Sequence, residues 1–80
     1  MPDRFPRDAP LARVLAALKA LGVVEVRSGN HISMRREDAD GTVTPLTLPG
    51  HKTLKSSTLR LILRQSRIGR AEFLDAYDAA

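Results

Sequence analysis

With no cysteine anywhere in its 80 residues, the chain has neither a disulfide nor a thiolate–metal site to staple it, so packing of one small apolar core must hold it together. A chain of this length makes one domain and leaves no room for a separate substrate-binding unit. The apolar fraction of 42% is ordinary for a globular protein, but two Phe, one Tyr and no Trp leave Leu, Val and Ile to build the core. Absence of cysteine fits a reducing cytoplasm. The first ten residues carry charges and prolines but no signal-type apolar run, and nothing approaches the roughly 20 apolar residues of a membrane span. The expectation is a single cytoplasmic domain over residues 1–80, with residues 1–7 as a flexible N-terminus and no membrane partner.

A net charge of +4 and an isoelectric point near 10.4 suit a polyanionic partner. Placement says more than the total. No acid occurs between Asp40 and Glu72, a stretch that holds Lys52, Lys55, Arg60, Arg64, Arg67 and Arg70. The C-terminal half therefore carries a positive field.

Leu11, Val14, Leu15, Leu18 and Leu21 recur three and four apart, which predicts a helix over residues 9–21 with one apolar stripe. Asp8 is the expected cap, Pro10 is tolerated in the first turn, Gly22 is the stop, and Arg13 and Lys19 face away. Alternation of Val24 and Val26 with Glu25 and Arg27 predicts a half-buried strand. After a turn at Ser28-Gly29-Asn30, Ile32 and Met34 point one way and His31, Ser33 and Arg35 the other, so the two strands make a hairpin. A third strand over residues 42–48 contains Pro45, which belongs at an edge or a bulge. Residues 49–55 read as a loop. Ser56 or Ser57 is expected to cap a second helix with core stripe Leu59, Ile62 and Leu63, and with Arg60, Arg64 and Arg67 on its exposed side. Gly69 breaks that helix, and a short third one follows over residues 70–78, with Ile68 and Phe73 at staple spacing. The order helix, three strands, helix predicts an α+β sandwich: a three-stranded antiparallel sheet with helices on one face and the other face free.

Leu18-Lys19-Ala20-Leu21-Gly22, Ser28-Gly29-Asn30-His31 opening a strand, Leu48-Pro49-Gly50-His51, Ser57-Thr58-Leu59-Arg60-Leu61-Ile62-Leu63-Arg64-Gln65 and Glu72-Phe73-Leu74 succeed one another along nearly the whole chain. This succession resembles the HicA toxin family. A Gly-x-His hairpin followed at this distance by a Thr-Leu-Arg-x-Ile-Leu-Arg-Gln helix is a fairly specific combination. The resemblance implies an α-β-β-β-α fold like the double-stranded RNA-binding domain and ribonuclease activity on messenger RNA. It also implies inhibition by a cognate HicB antitoxin, and it puts the family's catalytic histidine on His31. Two positions depart from the pattern. The usual Gly-Ser-His reads Gly29-Asn30-His31, where Asn suits a turn, and the usual Gly-Thr-Leu reads Ser57-Thr58-Leu59.

The chemistry is consistent with that residue type. RNA supplies its own nucleophile, the 2′-hydroxyl, so cleavage needs a proton acceptor, a proton donor for the leaving oxygen, and cations for the phosphate. An imidazole serves either proton role near neutral pH. The competing reading is an ordinary surface histidine. His51 is the only other histidine. It reads as a loop residue contacting the phosphate backbone or packing on the second helix, and a two-histidine acid–base pair stays open if its loop folds back toward the first hairpin. Two isolated histidines lack the ligand count of a metal site, so no metal or cofactor is expected.

Asn30, Arg35, His51, Lys52, Lys55, Arg60 and Arg64 form the expected RNA-binding set, with the start of the second helix as an anion-attracting end. Phe5, Phe73 and Tyr77 read as packing residues. The resulting expectation is a metal-independent RNA-cleaving toxin acting through His31. The alternative is a non-catalytic RNA-binding module of the same fold.

Overall fold

A computed structural model describes residues 5–80. The chain runs β1 (Asp8–Pro10), α1 (Leu11–Ala20), β2 (Val23–Arg27), β3 (His31–Glu37), β4 (Val43–Pro49), β5 (Thr53–Lys55), α2 (Ser56–Ser66) and α3 (Arg70–Ala79). Strands β2, β3 and β4 make the expected antiparallel sheet with β3 in the middle. This is the α+β layout anticipated from the order of elements, with one addition: β1 and β5 pair as a separate antiparallel ribbon.

That ribbon corrects two expectations. Residues 8–10 do not begin the first helix, and Asp8 does not cap it; Asp8 lies in β1 opposite Lys55, and α1 starts only after Pro10. Residues 53–55 are not loop but the partner strand, and the ladder continues where the Leu11 amide donates to the Lys52 carbonyl at 2.8 Å. Three residues on each side are too few for a period-two signal. Burial explains why they pair, since Ala9 and Leu54 sit opposite each other with both side chains sealed in the core.

On β3, Ile32 and Met34 are buried, and on β4, Leu46 and Leu48 are buried. These side chains form one apolar face against Val14, Ala17 and Leu18 of α1 and Leu59, Ile62 and Leu63 of α2. The alternating residues leave the opposite face uncovered. Helix α3 packs on α1 and adds Phe73, Leu74 and Tyr77 to the core. Gly22 ends α1 as expected, at φ +89°, a conformation that costs glycine little. Ile68 and Phe73, the expected staple pair, are both buried.

Strand β2 corrects the predicted alternation. Val23 is buried, whereas Val24 and Val26 are 54% and 61% exposed. Val24 stands opposite Arg35 on the uncovered face, and the register jumps between Glu25 and Arg27. Val26 is the extra residue of a β-bulge, so Arg27 rather than Val26 falls opposite Ser33. The edge position expected for Pro45 holds, because β4 is an outer strand, but its pairing with β3 is unbroken from Val43 to Pro49.

Polar side chains tie the layers together. Arg36, on the covered side of β3, donates to the Ser66 carbonyl at the end of α2 (2.8 Å) and lies 3.6 Å from Asp38. A cation there meets the negative end of the helix dipole. Arg13, expected to face solvent, instead donates to the Tyr77 carbonyl at 2.9 Å and lies 4.3 Å above the Tyr77 ring. No serine caps α2, whose N-cap is Lys55 in an extended conformation. In the β3–β4 turn the Thr42 amide donates to Asp40 Oδ1 at 2.9 Å, and this bond holds the Asp40 carboxyl below the usual carboxylate range. No helix of the described residues is long and apolar enough to cross a membrane.

Candidate active site

His31 is the first residue of β3, exposed, and on the sheet face that the helices leave bare. Its neighbours on that face follow from the register. Pro49 lies directly opposite it on β4; the next row is Arg27, Ser33 and Thr47; the row beyond is Val24, Arg35 and Pro45. Arg35, of the expected RNA-binding set, is four residues along the same strand and on the same face, roughly 13 Å away. Arg27 lies nearer, one row from His31, and it reaches that row only because of the bulge at Val26. Alternation already turns Arg27 away from the core, but counted without the bulge it pairs Val26 with Ser33, so the row in which Arg27 stands is missed.

The loop after β4 folds back onto the first hairpin. The Gly50 amide donates to the Asn30 carbonyl at 3.0 Å, and a β-carbon at Gly50 would lie 2.7 Å from that oxygen and 3.0 Å from the Gly29 carbonyl oxygen. Only glycine permits this approach, so Pro49-Gly50-His51 is clamped against the Gly29-Asn30 turn. The signal in the sequence is the Pro49-Gly50 pair ending a strand, which marks a turn. His51 emerges just past the clamp, at the same end of the sheet as His31. It is exposed, with Lys52 and Lys55 beside it in an open cleft of about 470 Å³ that also includes Asp8, Thr53 and Thr58.

Asn30, His31, His51, Lys52 and Lys55 therefore share one end of the molecule. That end also presents the first turn of α2, which has no side-chain cap and no acidic residue of its own, although Asp8 of β1 lies opposite the N-cap Lys55 and shares the cleft. Among the described residues the ion pairs are Lys19–Glu25 and Arg36–Asp38, so Arg27, Arg35, Lys52 and Lys55 carry unneutralised charge.

Arg60 and Arg64 are not brought to this end. They project from the outer side of α2, away from the sheet, and line a different groove with Phe5, Leu63, Ile68 and Arg70. Arg67, expected on the same stripe, is instead the left-handed C-cap of α2 at φ 61°. Phe5 falls within the stretch expected to be flexible, yet it is buried edge-on against Phe73, with ring centroids 6.3 Å apart. Residues 1–4 of that stretch lie outside the described residues. Among the described residues no group of three or more His, Cys, Asp and Glu side chains comes together in a way that would hold a metal ion.

Comparison with known proteins bears on this arrangement. No individual curated protein and no solved structure matches the chain. The family model described as "HicA toxin of bacterial toxin-antitoxin" matches residues 12–68, a span from α1 to the end of α2 that contains both histidines and the Gly50 clamp. The chain belongs to the HicA toxin family.

Proposed function

We propose that this toxin is a metal-independent endoribonuclease that cleaves messenger RNA through His31, and that an antitoxin of the HicB type silences it. The observation carrying this reading is the position of His31. It stands exposed on the uncovered sheet face, beside the Gly50–Asn30 contact that brings the loop carrying His51 and Lys52 to the first hairpin. Arg27 and Arg35 on the same face, and Lys52 and Lys55 in the neighbouring cleft, supply cations for a ribose-phosphate backbone.

The step needs little from the protein. The 2′-oxygen attacks the adjacent phosphorus as its proton passes to a base. The bond from phosphorus to the 5′-oxygen breaks, and that oxygen takes up a proton. The products are a 2′,3′-cyclic phosphate and a 5′-hydroxyl end. His31 fills one of the two proton roles. Arg27, one row from His31 on the same face, offsets charge building on the phosphoryl oxygens. Asn30, His51, Lys52, Lys55 and Arg35 hold the flanking backbone, which makes binding salt-dependent. Cleavage of messenger RNA puts the protein in the cytoplasm, where reducing conditions agree with a cysteine-free chain.

Induced in a bacterium, the chain should arrest growth. His31→Ala at an equal protein level should not. Arrest by both variants removes His31 from the chemistry, and arrest by neither favours the non-catalytic RNA-binding module.

A further inference from the structure

The groove on the outer side of α2 has no part in the cleavage step, and its composition is unusual. Its floor is apolar: Phe5, Leu63 and Ile68 are each less than a tenth exposed. Its walls are the exposed Arg60, Arg64 and Arg70, none of which forms an ion pair among the described residues. Three like charges around one apolar floor repel each other, and although Arg70 stacks on the Phe5 ring none of the three meets a carboxylate among the described residues, so an anionic occupant relieves them. Leu61, 56% exposed, extends the apolar surface from its place three residues before Arg64 on the helix.

We infer that this groove is a docking site for an acidic, apolar-anchored peptide segment of the partner antitoxin, separate from the RNA-cleaving end. The inference rests on the toxin–antitoxin reading of the family but not on the assignment of His31. Three observations favour peptide over RNA. Phe5 is only 8% exposed, with Arg70 5.0 Å above its ring and Phe73 against its edge, so no base can stack on it. The volume of 340 Å³ is at the small end of ligand pockets, which run from about 300 to 1,000 Å³, and suits one or two anchoring side chains better than a run of nucleotides. The groove also lies on the helix layer, on the far side of the sheet from His31, so RNA in cleavage register runs past the other face. A Leu or Phe seated on the floor, with Asp or Glu on either side reaching the guanidinium groups, satisfies both parts of the surface. An antitoxin gripping here keeps hold of the toxin without competing for every phosphate contact.

The test uses the full chain and two labelled probes: a peptide of Asp and Glu around a central Leu-Phe pair, and a single-stranded RNA of ten nucleotides. Fluorescence anisotropy should show saturable peptide binding that falls at least tenfold in Arg64→Ala/Arg70→Ala and also when Leu-Phe in the peptide becomes Ser-Ser. RNA affinity and cleavage by Arg70→Glu should stay within twofold of the parent, and far-UV circular dichroism should confirm that each variant is folded. Lys52→Ala/Lys55→Ala should do the reverse, weakening RNA and sparing the peptide. Peptide binding that is absent in the parent, or unchanged by the arginine substitutions, overturns the inference. So does RNA binding that falls in parallel with peptide binding, which assigns the groove to nucleic acid. Peptide binding that survives alongside full cleavage by His31→Ala overturns only the catalytic assignment.

Discussion

A β-carbon at position 50 would sit 2.7 Å from the Asn30 carbonyl oxygen, inside contact distance of backbone that belongs to the turn before His31. Gly50→Ala therefore has to push the β4–β5 loop off the hairpin, and urea denaturation should show a loss of about 1–3 kcal/mol. Cleavage should fall more than global stability explains, because His51 and Lys52 move with the loop. Arg67 gives a test of opposite sign. It holds a left-handed conformation at φ 61° that a side chain makes costly, and it ends α2 where glycine is the usual choice. Arg67→Gly should stabilise the protein by about 0.5–1 kcal/mol in the same assay without changing cleavage. His31 itself was legible because a polar residue alternating with Ile32 and Met34 must face away from the core. The Gly50 contact and the row in which Arg27 stands were not, since one depends on two segments 20 residues apart coming within a hydrogen bond, and the other on a bulge.

At the scale of elements, long periodic segments were readable and short or irregular ones were not. The stripes of α1 and α2 are amphipathic over ten and eleven residues, enough for their apolar faces to dominate. β1 and β5 have three residues each, and only tertiary pairing makes them strands. Strand β2 misled because its three valines do not share a face, and the bulge separates their roles. This yields a direct comparison: Val23→Ala should cost about 1–3 kcal/mol because Val23 is 2% exposed, whereas Val24→Thr on the open face should stay within about 0.5 kcal/mol. Equal losses at the two positions would contradict the register of β2. Residue type makes Ser56 and Ser57 cap candidates, yet they are the first two residues of α2 itself, and Lys55 holds the cap position in extended backbone with no side-chain cap bond.

Across the whole molecule, charge and architecture divide the surface in two. The sheet end gathers His31, His51, Lys52 and Lys55, and the helix layer presents Arg60, Arg64 and Arg70, a separation that no count of basic residues reveals. Composition shows a basic C-terminal half, but only the layer order shows that this one basic stretch feeds two faces. RNA binding should weaken with salt, and for single strands each phosphate neutralised contributes roughly −0.7 to the slope of log K against log salt. Lys52→Ala/Lys55→Ala should flatten that slope by about 1 to 1.5, measured by anisotropy between low and physiological salt; an unchanged slope would move the phosphate track elsewhere. The claim on which the rest depends is that the imidazole of His31 performs the cleavage. The direct measurement is the rate at which purified parent and His31→Ala cut an unstructured RNA in buffer containing a chelator, with binding to a 2′-deoxy analogue of the same strand as the control. The parent should cut without added metal, and His31→Ala should bind the analogue within a few-fold of the parent while cutting at least a hundredfold more slowly. Cutting by His31→Ala at the parental rate, or cutting by the parent that stops when the chelator is added, contradicts the account.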